Sequence, residues 1–84
     1  MNIDTDEARR IVGHAVLAIV PDADLSSLPE DADLRQTFEL DSLDFLSFVE
    51  DVGQETGIRI EEDDYPELTT LAGCAGFLAR RRSG

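Results

Sequence analysis

Between Leu40 and Gly57 the chain writes out a helix with both of its ends marked. Asp41 is a residue type that caps helix N-termini, Asp44 is the acidic partner expected three positions later, and Leu40 and Phe45 bracket the cap as a hydrophobic staple. At about 100° per residue, Phe45, Phe48, Val49 and Val52 fall on one side as a core stripe. Gly57 supplies a left-handed stop after Thr56. Such a helix is stable only when its stripe is covered, so the rest of the chain must supply partners for it.

Two further segments do so. Ile3, Asp4 and Glu7 repeat the staple, cap and box, predicting a first helix that starts at Asp4, buries Ala8, Ile11, Val12, Ala15 and Ile19, and ends at Pro21. A last helix is expected from Thr69 or Thr70. Leu71, Cys74, Ala75 and Leu78 form its stripe, with Phe77 at the edge, and Arg80, Arg81 and Arg82 complement its C-terminal dipole. Gly53, Gly73 and Gly76 predict close approach between helices, at some cost in helix propensity. Between Pro21 and Leu40 a long loop is expected, pinned by Leu25, Leu28, Leu34 and Phe38 and holding a short turn of helix. Ile58 and Ile60, alternating with Arg59, suit an extended stretch. Glu61, Glu62, Asp63 and Asp64 read as a solvated turn, or as a short helix start that would suit the dipole, and Tyr65 before Pro66 is expected to be extended.

Eighty-four residues, 42% of them hydrophobic, are enough for one domain with one core. A single domain over residues 1–84 is expected. The lone Cys74 forbids an internal disulfide and reads as a small core residue. No run has the length of a membrane helix or the layout of a signal peptide, so the expectation is a cytoplasmic protein without membrane insertion. A formal net charge of −12, with seven arginines and no lysine, argues against nucleic acid and anionic membranes as partners. It favours proteins with basic docking patches, steered by a field that weakens with salt.

Catalytic patterns are missing. His14 is the only histidine and has no partner pattern, no glycine-rich phosphate loop exists, and no pair of carboxylates stands out by spacing. Asp22, Asp24, Ser26 and Asp33 faintly resemble a calcium loop, but Ser27 stands where its glycine is required and Pro29 follows; no metal site is expected. The residue that remains is Ser42. Because Asp41 takes the capping role, the Ser42 hydroxyl at the first helical position is left free, at a helix end that favours anions. A phosphate ester would be well placed there. Leu43 points away from the core, Leu46 flanks the stripe, and Ser47 and Glu50 share the outer side, which suggests a contact for a partner protein.

Asp41, Ser42 and Leu43 resemble the Asp-Ser-Leu signature of acyl carrier proteins and their peptidyl carrier relatives. The likeness continues through Phe45, Leu46, Phe48, Val49 and Val52, then Thr56 to Ile60, Asp63, Asp64, Leu68, Thr70 and Leu71. It departs at Glu39, where many carriers have glycine, and at Glu50, often apolar in the family. The resemblance implies a small all-α four-helix bundle, three longer helices plus one short one around Asp63 to Leu68. It also implies a freestanding, monomeric and non-catalytic acyl carrier. Ser42, flanked by Asp41 and Leu43, would bear a 4′-phosphopantetheine arm taken from coenzyme A, holding acyl groups as thioesters for fatty acid, polyketide or related biosynthesis. Its partners would be a phosphopantetheinyl transferase and acyl-loading, condensing or acyl-transferring enzymes, docking on Glu39, Leu43, Asp44, Leu46 and Glu50. The alternative is an unmodified acidic interaction module in which Ser42 only helps start a helix.

Overall fold

The computed structural model describes residues 5–83, with side chains for 6–81. Helix α1 spans Thr5–Ile19, a short α2 spans Leu34–Thr37, α3 spans Ser42–Thr56 and α4 spans Leu71–Ser83, with a 3-10 helix at Glu62–Thr69 before α4. The architecture is the expected all-α bundle, with three longer helices and short helical pieces in the connections. Ile3 and Asp4, read as the first staple and cap, lie outside the described residues.

The core forms where α1 packs along both α3 and α4. Ala8, Ile11, Val12 and Ala15 are buried as their spacing predicts, and Val16 joins them, while Ile19 is only half-buried at the helix end. Helix α1 stops before Val20 because the residue ahead of a proline is pushed out of the α region. From the other two helices come Phe45, Phe48, Val49 and Val52, and Leu71, Cys74, Phe77 and Leu78. Phe77 is 1% exposed, so it is a core residue and not the edge residue expected; Ala75 is the half-buried one. Burial pushes the Cys74 thiol up to about 12, which keeps it protonated and inert. At the surface, His14 Nδ1 lies 2.8 Å from Glu55 Oε1 and joins α1 to α3.

The long loop is held as well as anchored. Arg9 Nη1 donates to the carbonyls of Leu25 (2.9 Å) and Leu28 (3.1 Å), and the Ala72 N–H donates to the Glu30 carbonyl (2.9 Å). Leu28 and Leu34 are buried beneath it, with Leu25 and Phe38 partly so. The Asp24 carboxylate accepts from the Ser26 hydroxyl (2.7 Å), the Ser26 N–H (3.0 Å) and the Ser27 hydroxyl (3.1 Å), bonds that hold it below the usual carboxylate range.

At its far end α3 closes on Gly57, φ 72°, whose N–H donates to the Gly53 carbonyl at 2.8 Å. Ile58 and Ile60 then pack against the core from irregular chain, while Arg59 pairs outside with Glu61. A Cβ on Gly53 would stand 3.2 Å from the Ile58 carbonyl oxygen, so this glycine makes room for the returning chain and not for another helix. Gly76 meets only the Arg80 guanidinium, at 3.5 Å, and has no packing role. Gly73 does: a Cβ there would run into the Glu67 carbonyl oxygen.

The acidic run is not simply a solvated turn. Asp64 accepts from the Glu61 N–H (3.0 Å) and, on both carboxylate oxygens, from Arg81 Nη2 (3.0 Å each). Arg80 pairs with Glu67, and the Arg81 guanidinium lies 4.9 Å from the Phe77 ring centroid. These arginines therefore clasp the 3-10 helix to α4 in addition to facing a helix dipole. Tyr65, expected to be extended, is helical. The 3-10 form, with ψ about 20° less negative than an α-helix, eases the clash with Pro66, and Tyr65 gains an edge contact with Phe45 at 5.9 Å.

Candidate functional site

The site is built where α2 turns into α3. Asp33 caps α2 by accepting from the Gln36 N–H at 3.0 Å. At the other end the Phe38 N–H donates to the Leu34 carbonyl (3.1 Å) and the Leu40 N–H reaches back to the Arg35 carbonyl (2.8 Å). That six-to-one bond is half of a Schellman turn, and it requires a left-handed residue between, which is Glu39 at φ 55°. Glycine would take this conformation without strain. Glu39→Gly should therefore raise stability by about 0.5–1 kcal/mol in urea unfolding, whereas Glu39→Ala should not. Equal effects of the two would show that the turn is unstrained.

Leu40, 5% exposed, is buried at the end of the turn and is followed by Asp41, the cap of α3. The Asp44 N–H donates to Asp41 Oδ1 at 2.8 Å, and the Asp41 N–H donates to Asp44 Oδ2 at a long 3.5 Å, so the capping box closes in both directions. Ser42 follows as the first residue of α3. Its side chain is exposed and its hydroxyl makes no hydrogen bond to any described residue. The capping box takes the Asp41 and Asp44 N–H groups, so in this first turn those of Ser42 and Leu43 are left to present partial positive charge beside the hydroxyl.

Beside Ser42 lies an open groove of about 490 Å³, lined by Arg35, Ser42, Phe45, Leu46, Glu62 and Tyr65. Phe45 forms its apolar base, stacked on Phe48 at 5.8 Å and touched edge-on by Tyr65. The Arg35 guanidinium lies 5.3 Å from the Phe45 ring centroid. Nothing in the sequence marks Arg35, Glu62 and Tyr65 as site residues. They come from three separate elements, and no spacing within one helix could have shown them.

The outer side of α3 carries the other expected residues. Leu43 is 74% exposed and Leu46 39%, with Glu50 exposed one turn further and Glu39 exposed at the preceding turn. Asp44 is only half-exposed, being engaged in the capping box. Asp41 is exposed and committed to its cap.

A bundle whose middle long helix offers a free serine hydroxyl at its capped start, next to an open groove, has the build of a small carrier domain. A family model described as the phosphopantetheine attachment site matches residues 14–78, most of the chain, and the protein belongs to this phosphopantetheine-binding family. Comparison with curated proteins gave no significant match. The family's domains bear a covalent 4′-phosphopantetheine, are generally non-catalytic, and work with phosphopantetheinyl transferases and biosynthetic enzymes. The residues here fit that group. The exposed Ser42 hydroxyl could take the ester, the N–H groups of Ser42 and Leu43 could face its anion, and the groove that Ser42 shares with Arg35 could receive the chain beyond it. Among the described residues no helix is long and apolar enough to cross a membrane.

Proposed function

We propose that Ser42 is the attachment residue and that the protein, a single domain over residues 1–84, is a monomeric, non-catalytic acyl carrier. The observation that carries this reading is the free Ser42 hydroxyl at the start of α3, inside the matched span. Ser26 and Ser27 are spent on Asp24, and Ser47 lies in mid-helix. On transfer, Ser42 Oγ bonds to the phosphorus of the coenzyme A pantetheine phosphate, the bond from that phosphorus to adenosine bisphosphate breaks, and the hydroxyl proton passes to the transferase. When bound, the arm supplies a terminal thiol that holds acyl groups as thioesters, for fatty acid, polyketide or related biosynthesis. The protein supplies position and recognition. Exposed Leu43 and Leu46, with Glu39, Asp44 and Glu50 around them, form a docking face for basic patches on partner enzymes, in a reducing cytoplasm.

The test is intact mass after incubation with coenzyme A, magnesium and a broad-specificity phosphopantetheinyl transferase. Wild type should gain one phosphopantetheine and Ser42→Ala none. No gain with several transferases would favour the unmodified acidic interaction module. In the same assay Leu43→Ala and Glu50→Arg should slow transfer by about tenfold at low salt, with the wild-type rate falling toward theirs as salt rises. Unchanged rates would remove both residues from the docking face.

A further inference from the structure

Seven arginines face nineteen carboxylates in this chain, and those with described side chains mostly find an acceptor. Arg59, Arg80 and Arg81 are paired with Glu61, Glu67 and Asp64, and Arg9 is committed to the loop carbonyls. Arg35 has no carboxylate partner among the described residues. Its guanidinium is instead stacked on Phe45, on the rim of the groove that Ser42 lines. Phe45 lies three positions after Ser42, so the two share one face of α3 and are neighbours across a single helical turn. The backbone of Arg35 is tied to the same place, because its carbonyl accepts the Leu40 N–H two residues before Ser42.

An anion esterified to Ser42 meets an unfavourable field. Glu39, Asp41, Asp44 and Glu62 all stand around the groove and the helix start, on a chain of formal charge −12. The N–H groups of α3 offset part of that repulsion, and a cation on the rim of the same groove offsets a further part. The planar guanidinium suits a phosphodiester because it can donate two hydrogen bonds to two oxygens at once, and the Phe45 ring restricts its motion beforehand.

We propose that Arg35 is a positioning residue for the arm, with its guanidinium holding the phosphodiester on Ser42 and directing the arm along the Phe45 and Tyr65 side of the groove. The proposal rests on the attachment of the arm to Ser42. Its contribution is to order the arm, so it acts after loading and makes no contact with the thiol.

The experiment compares apo and loaded protein, with loading established first by intact mass. The Arg35 Nε–H signal, assigned by its loss in Arg35→Gln, should exchange with water about fivefold more slowly in the loaded protein than in the apo form. The phosphorus signal of loaded Arg35→Gln should be displaced from that of wild type, with Arg35→Lys falling between the two. Packing on Phe45 alone would give equal exchange in apo and loaded protein and one phosphorus shift for all three, and that result would overturn the proposal. Failure of wild type to load would overturn the Ser42 reading and this proposal with it. Arg35→Gln and Arg35→Lys remove only an exposed head group, and their apo melting temperatures serve as the check that both fold.

Discussion

Gly73→Ala should destabilise the protein by about 2–3 kcal/mol, although the same change at an unconstrained helix position stabilises by about 1 kcal/mol. The added methyl would clash with the Glu67 carbonyl oxygen and stand 3.0 Å from Thr70 Oγ1, which caps α4 by accepting the Gly73 N–H. A backbone carbonyl cannot rotate aside as a side chain can, so the 3-10 helix must move as a unit. That movement strains the Arg80 and Arg81 clasp on Glu67 and Asp64, and it carries Tyr65 away from the groove. Gly76→Ala, with only the flexible Arg80 side chain nearby, is the matched control and should be neutral or stabilising. Urea midpoints of the two variants decide the matter. Equal midpoints would show that the close approach of α4 to the 3-10 helix does not constrain the fold.

Phe48→Ala should cost about 3–5 kcal/mol, close to the whole stability of a domain this small. Phe48 has no exposed surface and sits where α3 meets the rest of the core. Truncation removes its transfer energy and leaves a cavity that rigid neighbours fill only in part. The damage reaches the site, because Phe45 stacks on Phe48 and in turn carries Arg35 and Tyr65. Phe48→Leu should retain much of the stability while loosening that stack. A melting temperature for Phe48→Ala within a few degrees of wild type would contradict the packing described here.

The long helices were legible because each announces itself locally, by a cap, a period and a stop. Asp41, the four core residues of α3 and Gly57 all take the roles their types imply. Ser42 was legible for the same reason, since its freedom follows from Asp41 acting as the cap. What could not be read depends on contacts between elements. Glutamate is a poor choice for a left-handed turn, so the type of Glu39 does not announce one; only the glycine that many carriers have at this place points to it. The conformation of Glu39 is imposed by burial of Leu40 and by the bond from Leu40 back to Arg35. The fates of Asp64 and Glu67 were hidden likewise, since their arginines lie 17 and 13 positions away. Phe77 reads as an edge residue in the sequence because one residue of drift in the stripe of α4 decides which side chain is buried.

The most direct measurement is a fragmentation spectrum of the peptide from Gln36 to Arg59, released from the loaded protein by cleavage after arginine. This peptide contains Ser42 and Ser47, one at the start of α3 and one on its outer face. Fragments that include Ser42 but stop short of Ser47 should carry the whole mass of the phosphopantetheine. The arm on Ser47, or on any peptide without Ser42, would contradict the account.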